Sequence, residues 1–260
     1  MKKLLASDID GTLVINGNIK NESIDHIKKF KDKGHAFILC TGRDFANTEH
    51  IFNEYDVDVD ALVLCNGALI LDKNLKEMKK NSIDADVVKG IYSEIQNDDL
   101  YNFAIVDGYK TYVVGKFELF DDFVYKVEVL TEEEFLNKEH DVKLISINAS
   151  DRSSESAEKL RNIINEKYKD YVIAYRNQYF IDIAPVGCSK AHGISQLIDM
   201  FEVVDDDVFV IGDSWNDLSM FESYKNSYTF NHAEDELKKY TKMVISEFHN
   251  CLEDILNEEE

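Results

Sequence analysis

The alternation of short apolar runs with amphipathic stretches most constrains the fold of this 260-residue chain. Residues 2–8, 35–41 and 61–68 are apolar runs of a length typical of buried strands. Residues 21–34 and 43–55 lie between these runs and are predicted helices, the first with apolar residues at helical spacing. Strands that alternate with helices indicate a parallel sheet covered on both faces. The beginning of the chain is therefore predicted to be an α/β unit.

The middle of the chain has a different pattern. Residues 102–114 hold an Asp-Gly pair between two β-rich runs, which predicts a hairpin. Residues 171–184 are a second hairpin candidate, with residues 176–178 at its centre. Residues 143–149 are a predicted strand, and residues 153–168 a predicted helix. Hairpins combined with helices indicate an α+β unit with an antiparallel sheet.

The first pattern returns after Pro185, the only proline. Predicted helices cover residues 189–201 and about 216–222, and predicted strands cover residues 208–213, 227–230 and 243–246. The prediction is an α/β fold with a Rossmann-like parallel-sheet core and a second, α+β domain inserted in it. The core comprises residues 1–82 and 187–260, and the inserted domain comprises residues 83–186.

Polar residues follow the predicted core strands where each strand ends. In open parallel sheets, ligands bind outside the carboxyl ends of the strands. We therefore expect the following residues to meet at one edge, together with Lys190, which begins a helix: Asp8, Asp10, Gly11, Thr12, Thr41, Gly42, Arg43, Asn66, Asp213, Asn216 and Asp217.

This set of side chains has a coherent chemistry. Several carboxylates do not stay ionised side by side without a cation between them. A site rich in oxygen and poor in histidine and sulfur suits Mg²⁺. The formal net charge is -22, so a bound cation would also help an anionic substrate to approach. Lys190 and Thr41 could hold phosphate oxygens while one carboxylate attacks phosphorus, and the other of the two early aspartates handles protons.

Four short motifs carry a family resemblance. DIDGT, TGR, the lysine of SKAHG, and GDSWND resemble the four motifs of the haloacid dehalogenase superfamily, and NGA after the third strand adds to the match. The insertion between TGR and SKAHG is similar to that of the Cof-type phosphatases, which carry a large α/β cap of the C2B type. The resemblance spans nearly the whole chain. The inserted domain, residues 83–186, is accordingly termed the cap.

The resemblance implies a role for each motif residue. Asp8 would be the nucleophile and a Mg²⁺ ligand, and Asp10 the acid/base, with its backbone carbonyl on the metal. Asp213 would be a further metal ligand, and Asp217 would orient Lys190 or a metal-bound water. The phosphoryl group and the rest of the substrate would be bound by Thr41, Gly42, Arg43, Asn66, Lys190 and Asn216.

The expected function is that of a Mg²⁺-dependent phosphatase that acts on a small phosphorylated metabolite through an aspartyl-phosphate. The alternatives are a phosphomutase of the same superfamily and a non-enzymatic phospho-acceptor switch. Substrate choice is expected to lie in the cap, near the hairpin tips, with Asp107, Tyr109, Arg176, Asn177 and Tyr179 as candidates. Asp44, where the family often has proline, is expected to add negative charge near the entrance.

Composition limits the partners and the location. The strong negative charge argues against nucleic acid, whose phosphates would be repelled. No apolar run approaches the roughly 18 to 20 residues that span a bilayer, and the apolar stretch near the N-terminus is too short for a secretory signal. The four cysteines are scattered and show no zinc-site spacing. We therefore predict a cytoplasmic protein, monomeric and without a membrane partner.

Overall fold

The computed structural model describes residues 2–115 and 126–257. Their strands are β1 (Leu4–Ser7), β2 (Ala36–Cys40), β3 (Ala61–Leu64), β4 (Leu69–Asp72), β5 (Glu77–Lys80), β6 (Tyr101–Val106), β7 (Thr111–Val114), β8 (Val127–Leu130), β9 (Leu144–Ala149), β10 (Val172–Asn177), β11 (Phe180–Pro185), β12 (Val208–Ile211), β13 (Asn226–Phe230) and β14 (Met243–Ile245). Their helices are α1 (Asn21–Asp32), α2 (His50–Glu54), α3 (Ala85–Ile95), α4 (Glu132–Asn137), α5 (Ser154–Lys167), α6 (Lys190–Ser195), α7 (Ile198–Phe201), α8 (Leu218–Ser223), α9 (Asp235–Lys238) and α10 (Phe248–Asn257).

The first sheet has eight strands in the order β14-β13-β12-β1-β2-β3-β4-β5. The strands from β14 to β3 are parallel, and β4 and β5 extend the sheet in antiparallel pairing. β1 is central and fully buried, because separate apolar clusters cover the two faces of the sheet. The α/β prediction is thus confirmed, and the strands β4 and β5 are additions that the sequence analysis did not predict.

The second sheet has six strands in the order β10-β11-β9-β6-β7-β8. Its strands pair in antiparallel fashion, as predicted, except for β7 and β8 at one edge, which are parallel. α3 and α5 cover one face with apolar residues such as Ile91 and Ile164. The other face packs on the core, where Val106, Leu144 and Ala184 join the apolar cluster on one face of the first sheet. The domain boundaries at residues 82 and 187 stay a prediction.

The predicted helix over residues 43–55 is wrong in its first half, since α2 begins only at His50. The backbone N–H groups of Phe45 and Ala46 donate to the carbonyl oxygens of Gly108 and Tyr109 in the cap. These donors bind across the core–cap contact before the helix begins. The helix propensity of residues 43–55 does not depend on acceptors elsewhere in the chain. The late start of the helix was therefore not predictable from this segment alone.

The predicted helix over residues 189–201 is divided into α6 and α7. The backbone tightens between them, because the N–H of Leu197 donates to Ile194, three residues earlier. Among the described residues, no helix is long and apolar enough to cross a membrane.

Candidate active site

The ends of three neighbouring strands bring the predicted residues together. In the sheet, Ser7 of β1 is paired with Leu39 of β2 and with Ile211 of β12. Because the strands are parallel, the residues that follow these three positions leave the sheet at one edge. This edge carries Asp8 and Asp10 from the first segment, Thr41, Gly42 and Arg43 from the second, and Asp213, Asn216 and Asp217 from the third.

A buried lysine holds two carboxylates at this edge. The Nζ atom of Lys190 donates to Asp8 Oδ1 at 2.5 Å and to Asp217 Oδ1 at 2.7 Å, and its side chain is fully buried. Burial alone lowers the pKa of a lysine, but Asp217 and Asp8 raise the pKa of Lys190 above its ordinary value. Burial raises the pKa of Asp8, and the charge on Lys190 opposes that shift. Lys190 is therefore charged and fixes the Asp8 carboxyl in place.

Asp217 uses both of its carboxylate oxygens. Oδ1 accepts from Lys190, and Oδ2 accepts from the backbone N–H groups of Asp213 and Ser214 at 2.9 Å each. A glycine at position 212 permits this approach, since a Cβ there would lie 2.3 Å from Asp217 Cγ. Asp217 thus ties the loop after β12 to Lys190, one of the two contacts that the sequence analysis predicted for it.

Three carboxylates come close enough to share a cation. One oxygen each of Asp8, Asp213 and Asp217 lie within 4.8 Å of one another. Thr12 Oγ1 donates to Asp213 Oδ1 at 2.8 Å and so orients that carboxylate. The Asp10 carboxylate does not belong to this group. An all-oxygen donor set of this kind fits a hard divalent cation such as Mg²⁺.

Asp10 is held by an arginine instead. Arg43 Nε donates to Asp10 Oδ2 at 2.7 Å, and Arg43 Nη2 donates to Asp10 Oδ1 at 2.5 Å. Arg43 Nη1 also donates to the carbonyl of Asn47 at 2.6 Å, and its backbone N–H donates to Thr41 Oγ1 at 3.1 Å. The Asp10 side chain remains 38% exposed. Paired donation fixes the Asp10 carboxylate at the solvent side of the edge.

The segment after β3 turns sharply, so the predicted strand over residues 61–68 ends at Leu64. Cys65, Asn66 and Gly67 all have positive φ angles, of 51°, 51° and 90°. Glycine is needed at position 67, because a Cβ there would lie 2.3 Å from the carbonyl oxygen of Ser189. The two non-glycine residues cost about 1–2 kcal/mol each in this conformation. Such strain persists where the surroundings enforce it, and it is often found at binding sites.

Two buried amide oxygens at this edge are unpaired. Within the described part of the chain, neither Asn66 Oδ1 nor Asn216 Oδ1 has a hydrogen-bond partner. Both side chains are almost completely buried. Because buried polar atoms are normally satisfied, these two acceptors are open to a ligand or to an ordered water.

The sequence analysis missed one cap residue at the site, Asp182 on β11. Its Oδ2 atom lies 3.5 Å from Asn66 Nδ2 and 2.9 Å from the position that a Cβ would take at Gly42. Burial raises the pKa of Asp182 to about 6, although Lys190 acts in the opposite direction. The sequence does mark this residue, because Asp182 is the one charged residue in the otherwise apolar run FIDIA, and a charged residue is unusual there.

We expect Asp182→Asn to stabilise the protein above pH 6. The folded state holds the Asp182 proton up to a pKa of about 6, against 3.8 ordinarily, so the wild type loses stability as the pH rises through this interval. The difference in the free energy of unfolding between variant and wild type should grow by about 3 kcal/mol as the pH rises from 3.8 to about 6, and then stay constant. Urea unfolding at a series of pH values measures it, with the exposed Asp206→Asn as control. A difference that does not change with pH contradicts the prediction.

His232 is a second residue that the sequence analysis did not place at the site. Its Nε2 atom lies 2.9 Å from the Gly11 carbonyl oxygen and 3.7 Å from Asp213 Oδ2. The Asp213 carboxylate raises the pKa of this imidazole. Its sequence surroundings show no ligand spacing, so no local signal pointed to it.

The cap is joined to the core beside the site by buried polar contacts. Asp44 accepts hydrogen bonds from Asn47 and, at 2.5 Å, from Thr111 of the cap. Asn47 also exchanges two hydrogen bonds with the backbone of Lys126. Burial raises the pKa of Asp44, and its side chain is 1% exposed. The expectation that Asp44 adds charge at the entrance is therefore wrong.

A second set of contacts lies at the hairpin tip formed by β10 and β11. Arg176 Nη2 donates to Glu234 at 3.0 Å, and Ser214 Oγ donates to Asn177 at 2.9 Å. Two further specificity candidates from the sequence analysis are also engaged within the protein: Asp107 accepts from its own turn, and the hydroxyl of Tyr109 donates to Glu77. Tyr179 packs against Phe180. Each of these five side chains therefore has a partner within the protein.

Comparison with known proteins identifies the family. The family model of the haloacid dehalogenase-like hydrolases matches residues 5–250. A protein of Mycoplasma capricolum is 30% identical over 256 residues, covering 91% of this chain and 93% of that protein. The 5-amino-6-(5-phospho-D-ribitylamino)uracil phosphatase YwtE of Bacillus subtilis is 25% identical over 272 residues, covering 93% of this chain and 92% of that protein.

Solved structures share the fold over the whole chain. SMU.1108c from Streptococcus mutans has a TM-score of 0.84 at 20% identity, covering 99% of both chains. The HAD subclass IIB sugar phosphatase BT4131 has a TM-score of 0.84 at 21% identity, again covering 99% of both chains. The predicted fold and the predicted resemblance are confirmed. The chain therefore belongs to the haloacid dehalogenase-like hydrolase family.

Proposed function

We propose that this protein is a Mg²⁺-dependent phosphatase that hydrolyses a small phosphomonoester of a sugar or polyol through an aspartyl-phosphate. The observation that carries the proposal is the buried Asp8 carboxyl, held by Lys190 at 2.5 Å beside the carboxylates of Asp213 and Asp217. An aimed, buried carboxylate beside a cation site is suited to attack phosphorus. The substrate class is supported by the names of two relatives, a ribitylamino-uracil phosphate phosphatase and a sugar phosphatase.

The two early aspartates divide the chemistry in this proposal. Asp8 attacks phosphorus, and Asp10 protonates the leaving oxygen and later takes a proton from the attacking water. Arg43 holds the ionised Asp10 carboxylate that accepts the proton of water, and one of its two hydrogen bonds must open when Asp10 carries the proton for the leaving oxygen. Thr41, Gly42, Lys190, Asn66 and Asn216 surround the phosphoryl group and the oxygen that leaves with the alcohol.

The metal would be held by Asp8 and Asp213, with the backbone carbonyl of Asp10 as a further ligand. Asp217 already accepts from Lys190 and two backbone N–H groups, so its main part is to position the lysine and the loop. When bound, Mg²⁺ would neutralise the carboxylates and withdraw charge from a phosphoryl oxygen.

Gly11→Ala should weaken the binding of metal at this site. A Cβ at position 11 would lie 2.3 Å from Asp213 Oδ2 and displace that carboxylate. We expect the apparent Mg²⁺ affinity to fall by about 10- to 100-fold. Titration of activity and of calorimetric binding with Mg²⁺ measures the change.

Gly17→Ala is the matched control. Gly17 has nearly the same φ angle, 75° against 77°, but a Cβ there meets nothing within 4 Å. Both variants should lose about 1–2 kcal/mol of stability through backbone strain, and Gly11→Ala should lose more through its contact with Asp213 and alone alter Mg²⁺ affinity. Equal metal affinity in the two variants argues against Asp213 as a ligand.

Phosphate release from a panel of phosphomonoesters, with Mg²⁺ and with EDTA, tests the proposed function. We expect metal-dependent release, fastest for hydroxylated esters. Well-folded protein that releases no phosphate from any ester contradicts the proposal. Turnover that appears only after addition of a bisphosphate would instead indicate the phosphomutase.

A further inference from the structure

Strand β11 points one carboxylate at the catalytic edge. Ile181 and Ile183 lie in the apolar cluster under the cap helices, so Asp182, between them, faces the opposite way. There its Oδ2 atom approaches Asn66 and the backbone of Gly42, and only 7% of the residue is exposed. The cap thus supplies a buried carboxyl beside the segment proposed to bind the phosphoryl group.

The face of the cap sheet that meets the core changes from apolar to polar near Asp182. Part of this face packs into the core cluster through Val106, Leu144 and Ala184. On the adjoining part, Ser146 is opposite Asp182, and Asn148 is opposite both Phe180 and Asn102. In the described residues, the buried Nδ2 atom of Asn102 has no hydrogen-bond partner. A buried polar surface of this kind indicates a polar ligand between the cap and the catalytic edge.

The groups beside Asp182 favour a ligand that donates hydrogen bonds. The Asp182 carboxylate already accepts from Asn66 and Ser146 but keeps further acceptor sites, and Asn66 Oδ1 is an unpaired acceptor among the described residues. Asp10 adds a negative charge that acts on Asp182, although Arg43 pairs with Asp10. The charge on Lys190 acts on Asp182 more strongly, in the opposite direction. Hydroxyl groups satisfy such acceptors, whereas a second phosphate or a carboxylate would be repelled.

We propose that Asp182 is a specificity-determining residue that accepts a hydrogen bond from a hydroxyl of the substrate's alcohol portion and disfavours esters with a second anionic group. The inference rests on the phosphatase function proposed above. It assigns to the cap sheet, rather than to the hairpin tips, the recognition of a polyhydroxylated monophosphate.

Kinetics with two kinds of ester tests the assignment. We expect Asp182→Ala to lower kcat/KM for glucitol 6-phosphate by about 10- to 100-fold, mainly through KM. The value for p-nitrophenyl phosphate, whose leaving group has no hydroxyl donor, should change less than about threefold. Asp182→Asn, which keeps the shape and one acceptor, should lie between the wild type and Asp182→Ala. It should also improve the relative use of glucitol 1,6-bisphosphate.

Asp44→Asn is the control, since Asp44 is another buried carboxyl at the core–cap contact but binds Asn47 and Thr111. Any effect of Asp44→Asn should be equal for the two esters. Equal losses for both esters in Asp182→Ala would overturn the inference, because they would indicate a structural contribution only.

A binding measurement separates this inference from the proposed function. In the Asp8→Asn background with Mg²⁺, calorimetry compares glucitol 6-phosphate with inorganic phosphate, with and without Asp182→Ala. We expect the second substitution to weaken binding of the polyol ester by about 10-fold or more and to leave inorganic phosphate unchanged. Weakened ester binding supports the inference even if the wild type releases no phosphate. Unchanged or undetectable ester binding overturns it.

Discussion

Asp8→Asn should reduce phosphate release by roughly 10⁴-fold or more, since it removes the proposed nucleophile while keeping the shape of the side chain. The fold should survive, because Lys190 keeps its hydrogen bond to Asp217 and the amide oxygen can accept from the same Nζ atom. Burial raises the pKa of Asp8, so the neutral amide also removes an expensive buried charge. Initial rates with Mg²⁺ and the best ester of the panel measure the loss.

Two variants make this result specific. Asp206→Asn removes an exposed carboxylate and should retain full activity. Asp10→Asn should lose about 10²- to 10⁴-fold, and rapid quenching with labelled ester should show protein-bound phosphate that is absent from Asp8→Asn. Activity of Asp8→Asn above about 1% of wild type would exclude the aspartyl-phosphate at this residue.

Lys190→Met should lower the free energy of unfolding by about 3–5 kcal/mol at neutral pH. The substitution leaves Asp8 and Asp217 buried together without their shared cation, which is the costly way to break a buried ion pair. Urea unfolding followed by circular dichroism measures the loss. Adding Asp217→Asn to Lys190→Met should restore part of it, because one of the two buried carboxylates is then neutral.

Lys31→Met is the matched control for the lysine. Lys31 also bridges two aspartates, Asp58 and Asp60, but Asp58 is largely exposed. Water reaches Asp58, but the Lys31 and Asp60 side chains are only 13% and 21% exposed, so the cluster is screened in part and the loss should be smaller than for Lys190→Met. Equal losses of unfolding free energy in the two lysine variants would show that burial does not determine how much the Lys190 cluster stabilises the protein.

The convergence of the catalytic edge was predictable from the sequence because one topological rule governs it. Once Leu4–Ser7 and Ala36–Cys40 are recognised as parallel strands, Asp8 and Thr41 must leave the sheet on the same side. The same rule placed Asp213 there. The pairing of Asp10 with Arg43 was not predictable in this way, since both lie on loops whose side-chain directions depend on contacts beyond the sheet.

Asp182 could not be placed from the sequence for a different reason. Alternation shows that it differs from Ile181 and Ile183, but not which face of the cap sheet meets the core. That choice depends on the packing of Val106, Leu144 and Ala184 against the catalytic unit. Likewise, the late start of α2 depends on carbonyl groups of Gly108 and Tyr109 in another part of the chain.

The central position of β1 has a consequence for how the chain is made. One edge of this strand pairs with β2, which follows within about thirty residues, but the other edge pairs with β12, about two hundred residues later. At ribosomal speeds of about 5–20 residues per second, an apolar strand edge waits roughly 10–40 s for its partner. During that interval the nascent protein exposes a hydrogen-bonding edge that chaperones can bind and other chains can join. Expression yield should therefore respond to substitutions in Val208–Ile211 more strongly than the stability of the finished protein would indicate.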